Sequence, residues 1–245
     1  MNSFWTFFAF PLNLLLALLW ACGWGWLWKS RPDNRIVKFL LSPAATISSI
    51  TMLATGCLWI GFSGNRDFAA SVPFVLILLY LQTVVYLITL RGWKRADGAI
   101  RWRFLLIHLG LLLALGAGFW GSPDSTEMRV ALSKDETTHK AYTMDGSLNA
   151  LAYELSLIDY KTETSVDGKP SYYEATISVN NGDSVKITVN HPYNIRFGED
   201  IYLASISENA CVFQIVREPW RYFALAGIIM LLAGAFMLFI KGPRR

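Results

Sequence analysis

The feature that most constrains this chain is where its charges sit around five apolar runs. The runs cover residues 4–28, 39–62, 72–90, 104–120 and 222–240, and no charged residue precedes Lys29. A helix needs about 20 apolar residues to cross the hydrocarbon core, so each run is long enough or nearly so. The connection 29–38 carries four basic residues and one acid, and 91–103 carries five basic residues and Asp97. Lys241, Arg244 and Arg245 follow the last run, while 63–71 and 121–219 hold no such excess. Excess Lys and Arg mark cytoplasmic loops. The pattern predicts an α-helical polytopic membrane protein with five transmembrane helices and a small all-β extracytoplasmic domain between helices four and five. Residues 1–120 would hold the first four helices, 121–219 the β domain, and 220–245 the fifth helix and a tail. The amino terminus would lie outside and the carboxyl terminus in the cytoplasm.

Net charge follows the same division. The chain is +4 with 22 basic and 18 acidic residues, but 121–219 holds 15 of the acids and only 8 of the bases. The remaining 14 bases and 3 acids surround the apolar runs. The basic character therefore reflects topology, and no nucleic-acid patch is present. The first run lacks a basic n-region and is too long for the apolar core of a signal peptide, so it reads as a retained helix.

Three tryptophans, Trp20, Trp24 and Trp28, recur at a spacing of four and share one helical face. They read either as an interfacial aromatic belt or as a flat surface for a planar ligand. Cys22 and Cys57 read as small inert hydrophobes. His108 is the one histidine in an apolar run. An ionisable residue in a membrane is costly and is a functional candidate, although snorkelling or an interhelical hydrogen bond would also account for it. A neutral imidazole there could ligate haem iron, with Arg101 and Arg103 placed to neutralise propionates. Gly110, Gly116 and Gly118 in the fourth run, and Gly227 and Gly234 in the fifth, predict faces that pack closely.

The segment 121–219 is strand-like. Residues 151–160, 172–179, 184–189, 201–206 and 211–216 are rich in Ile, Val, Tyr and Thr, and several alternate. Asn181-Gly182 predicts a tight hairpin, with Gly182 at positive φ. Asp167-Gly168 predicts another turn, and Pro170 bounds the next strand. A single cysteine, Cys211, excludes an internal disulfide, and His139 and His191 lack metal-ligand spacing. No nucleophile elbow, P-loop or HExxH is present, so nothing here reads as a self-sufficient catalytic site.

Several ordered segments carry a family resemblance. They are Ser71-Val72-Pro73-Phe74, Arg103-Phe104 with His108-Leu109-Gly110, and Ile158-Asp159-Tyr160-Lys161-Thr162-Glu163. Asp167-Gly168-Lys169-Pro170-Ser171-Tyr172, Val189-Asn190-His191-Pro192-Tyr193, Gly198-Glu199-Asp200-Ile201-Tyr202 and Glu218-Pro219-Trp220 follow. In this order the chain resembles the ResB (CcsB) family of cytochrome c biogenesis proteins, of the System II pathway. The resemblance implies a subunit that works with a ResC (CcsA)-like membrane protein, moves haem across the inner membrane and presents it to apocytochrome c. It implies haem b as cofactor, His108 as its metal ligand, and an accessory place in a haem lyase complex. His191 reads as a turn residue. The outer domain is shorter than is usual in the family, and the first apolar run is additional to the usual core. A membrane assembly scaffold without haem, or a sensor or adhesion module built on the β domain, are the other readings these residues allow.

Overall fold

The computed structural model describes residues 7–164, 170–207 and 210–241, which fall into two compact units. One comprises 7–122 with the last helix and is helical; the other, 123–219, is a sheet. The helices are α1 (Leu12–Ser30), α2 (Arg35–Leu40), α3 (Pro43–Ser63), α4 (Val72–Gly92), α5 (Trp102–Gly121) and α6 (Arg221–Lys241). The apolar run 39–62 is broken at its start because Ser42 is extended and Pro43 opens α3. Ser42 Oγ accepts from the Ala45 N–H at 3.3 Å, and Gly64, at φ +66°, ends the helix.

Among the described residues, four helices are long and apolar enough to cross a membrane: α3, α4, α5 and α6. The expected five candidate crossings are therefore corrected to four. Helix α1 is not among them, because Asn13, Lys29, two glycines and four tryptophans dilute its run. The expectation of an amino terminus outside rests on that crossing.

The tryptophans of α1 have a different use from either one expected. Trp20 donates to Thr83 Oγ1 on α4 at 3.2 Å and lies against Tyr86, with ring centroids 5.2 Å apart. Trp24 and Trp28 pack on the cluster of Leu40, Ala45, Val84 and Leu87. Trp26, off that face, is exposed. The spacing of four is an interhelical seam. Polar groups reinforce it: buried Asn13 donates to the Trp120 carbonyl at 2.8 Å, and Tyr86 donates to the Ala21 carbonyl at 3.0 Å.

Helices α5 and α6 meet through small residues, as their glycines predict. A Cβ on Gly110 would fall 2.7 Å from the Gly227 carbonyl oxygen, and one on Gly234 would fall 2.6 Å from Ile107. Gly118 meets nothing within 4 Å and takes no part.

The second correction concerns the size of the β region. It is an eight-stranded antiparallel sheet in the order β5-β4-β3-β2-β1-β8-β7-β6. The strands are β1 (Thr126–Ser133), β2 (Thr137–Thr143), β3 (Leu148–Thr164), β4 (Pro170–Val179), β5 (Ser184–Thr188), β6 (Tyr193–Arg196), β7 (Glu199–Ile206) and β8 (Ala210–Arg217). Three of these were not anticipated. β2 is polar and buries only Ala141, β6 has four residues, and β1 alternates Met128, Val130 and Leu132 with Glu127 and Arg129. Strands β4 and β5 also touch β7, so the sheet rolls around one core that includes Leu155, Leu157, Ile177, Ile187, Ile201 and Phe213. Cys211 lies in this core, where burial pushes its thiol up to about 11.

The hairpin between β4 and β5 is present, one residue earlier than expected. Asn180 and Asn181 hold the positive φ angles, +52° and +55°, and Gly182 N–H closes the turn on the Val179 carbonyl at 2.9 Å. Asparagine tolerates that conformation, so Gly182 is not the residue that needs it. The expected turn at Asp167-Gly168 lies outside the described residues. His191 closes a tight turn, its N–H on the Thr188 carbonyl at 3.1 Å.

Candidate functional site

The first turns of α5 build the site. Its backbone is pinned to the end of α4: Arg101 N–H donates to the Trp93 carbonyl at 2.8 Å, and Arg101 Nη1 donates to the Gly92 carbonyl at 3.2 Å. Gly92 leaves room for a ring, since a Cβ there would fall 2.4 Å from Phe104 Cζ. The Arg101 guanidinium lies 4.8 Å from the centre of the Phe104 ring. On its far side in sequence, Phe104 stacks on His108 with centroids 3.9 Å apart and planes 23° apart. Arg101, Phe104 and His108 thus form a ladder along one stretch of helix, as residues three and four apart do.

The histidine's proton can be placed. His108 Nδ1 is 2.9 Å from the Phe104 carbonyl oxygen. A carbonyl can only accept, so Nδ1 carries the hydrogen and the lone pair of a neutral ring is on Nε2. This is the arrangement in which a histidine serves as a metal ligand, the second nitrogen fixed by a carbonyl. The ring is half-buried. Among the described residues there is no group of three or more His, Cys, Asp or Glu that could hold a metal ion.

A cleft of about 390 Å³ opens at the same end of the helices. It is lined by Arg95, Arg101, Arg103, Trp102, Phe104 and Met237, with Ile100. Both predicted arginines line it. His108 does not, and it reaches the cleft only through the Phe104 ring. Sequence reading missed Arg95 and Phe104. Arg95 was visible as one more basic residue of the loop, and Phe104 precedes His108 by one helical turn.

Comparison with known proteins bears on this stretch. Residues 97–211 match the model of the ResB-like family. The ResB-like segment therefore runs from the loop before α5, through His108, and into β8. It includes Arg101 and Arg103 but not Arg95, and it leaves out α1–α4 and the last helix. It takes in most of the segments that carried the resemblance, but not Ser71-Val72-Pro73-Phe74 or Glu218-Pro219-Trp220. No curated protein matches the chain by sequence. Among solved structures, the chain is similar to a cytochrome c haem lyase CcmF at 12% identity and a TM-score of 0.43. The superposition covers 93% of this chain but 45% of that one, so the chain spans less than half of that protein's length.

Proposed function

We propose that this chain is a haem-handling subunit of a System II cytochrome c maturation complex. The observation that carries the reading is the free Nε2 of His108 within the ResB-like segment. The donor types suit haem: one imidazole for iron and, across the Phe104 ring from it, the cationic cleft of Arg101 and Arg103 for propionates. Bound haem would supply the vinyl groups that join the cysteines of apocytochrome c. The chain's own residues would hold and orient it. The Phe104 carbonyl keeps the imidazole in the ligating tautomer, and the stacked Phe104 ring fixes its plane. A ResC (CcsA)-like partner would complete the site.

The orientation belongs to the same proposal. With four crossings, the basic connections 29–38 and 91–103 and the carboxyl terminus still share one side, the cytoplasm, and 123–219 takes the other. The membrane is the inner (cytoplasmic) membrane. A cytoplasm-dependent reporter should be active when fused after Gly98 and inactive after Gly146; the reverse would refute the orientation. The functional test is c-type haem staining of cells whose only copy carries His108→Ala. The expected result is loss of covalent cytochrome c with the protein still inserted. Full maturation would refute a haem-ligating role.

A further inference from the structure

The cleft at the start of α5 holds a cation that the haem reading does not use. Three arginines line it, Arg95, Arg101 and Arg103, and none of its lining residues is acidic. The acid nearest in sequence is spent on the backbone: Asp97 Oδ1 accepts from the Ala99 N–H at 3.0 Å, and Asp97 does not line the cleft. The first turn of α5 adds no acid. Arg101 gives Nη1 to the Gly92 carbonyl and faces the Phe104 ring, and Arg103 has a partner of its own. Arg95 is exposed, and its guanidinium has no partner among the described residues.

The backbone holds Arg95 in place. Lys94 and Ile100 form a single antiparallel bridge, Arg95 N–H donates to the Ala99 carbonyl at 2.9 Å, and the Arg95 carbonyl accepts from Gly98 N–H at 3.0 Å. Gly98 makes this turn at φ +81°. The turn joins two candidate membrane spans, one ending at Gly92 and the next beginning at Trp102, so it lies at a bilayer surface. Ile100 is 36% and Trp102 is 58% exposed beside the arginines. Tryptophan at a helix end settles at the headgroup level of a membrane.

We propose that Arg95 and the adjoining wall of this cleft bind the phosphate of an anionic phospholipid, with Ile100 and Trp102 against its glycerol and upper acyl chain. A guanidinium binds a phosphate through two parallel N–H donors. Basic pockets between membrane helices recognise anionic headgroups in this way. The volume of about 390 Å³ suits a headgroup. A free phosphate shares the ionic chemistry but would leave Ile100 and Trp102 in water. The proposal goes beyond the haem reading and uses neither His108 nor its free nitrogen.

The test is native mass spectrometry of the full chain in a neutral detergent. The probes are dioctanoyl phosphatidylglycerol, phosphatidylcholine with the same chains, and glycerol 3-phosphate. Arg95→Gln should weaken phosphatidylglycerol about tenfold, or ~1.4 kcal/mol. Arg31→Gln removes an equal charge from the other basic connection, outside the cleft, and should leave binding unchanged. Phosphatidylcholine and glycerol 3-phosphate should both bind more weakly than phosphatidylglycerol. Equal losses in Arg95→Gln and Arg31→Gln, or no loss in Arg95→Gln, would overturn the proposal. So would phosphatidylcholine as tight as phosphatidylglycerol, and glycerol 3-phosphate as tight would assign the cleft to a free phosphate instead. His108→Ala should bind phosphatidylglycerol as the wild type does, so this proposal and the haem reading fail separately.

Discussion

The two units differ in where their large apolar side chains go. In the sheet, Leu155, Leu157, Ile177, Ile187 and Phe213 are fully enclosed. In the helical unit Phe62 and Phe239 are 89% and 87% exposed, while Asn13, Ser49, Gln82 and Thr83 are inside. The difference follows from the solvent each one meets. Water drives apolar side chains into a core, at ~25 cal/mol per Å². A bilayer offers no such drive, so helices associate through close backbone contact and polar links. The Gly110–Gly227 seam and the hydrogen bonds of Asn13, Trp20 and Tyr86 are those two devices.

The contrast breaks most readily at its extremes. Phe213→Ala should cost about 3–5 kcal/mol, because it empties the middle of the rolled sheet. Phe239→Ala, on an exposed helical face, should change stability by less than ~0.5 kcal/mol. Thermal unfolding of both variants in the same detergent checks the pair, and comparable losses would show that Phe239 contributes to stability as a core residue does. Next in size is Gly110→Val, whose side chain would strike the α6 backbone and cost about 1–3 kcal/mol or more. Gly118→Val, in open space, is the matched control and should be silent.

Trp20→Phe deletes the donor to Thr83 and trims the indole to a phenyl ring. It should cost about 0.5–1 kcal/mol, read from the same melting curves. The smallest effect near neutrality concerns Cys211. Its thiol is raised from 9.0 to about 11 in the fold, so above 9.0 the unfolded chain binds fewer protons than the native one. Stability should fall as pH rises from 9.0 towards about 11, and Cys211→Ala should remove that part of the slope while leaving pH 7 behaviour alone.

The same contrast explains what was legible in the sequence. Apolar runs and flanking charges located α3 to α6, because length and hydropathy are what a bilayer selects. The run before Lys29 has the length of a crossing, but its tryptophans are spent on α4, and nothing in a spacing of four says whether the face meets lipid, ligand or helix. In the sheet, Ser184–Thr188 and Ala210–Arg217 announced themselves through alternation, whereas Thr137–Thr143 is ordered by its neighbours rather than by its own residues. His108 stood out as an ionisable residue in an apolar run. Its tautomer, the Phe104 stack and the separation from the arginine cleft depend on side-chain geometry that no motif encodes. The buried Glu199–Arg196 pair is likewise invisible until the β6–β7 turn folds.

The most direct measurement is the haem absorbance spectrum of the purified chain, wild type and His108→Ala, after loading with haem and with imidazole added. With a free Nε2 on His108, the wild type should show a ligand-bound Soret band and the variant should lose it. Imidazole should restore the band by filling the vacated position. An unchanged band in His108→Ala without imidazole would contradict the assignment of His108 as the iron ligand.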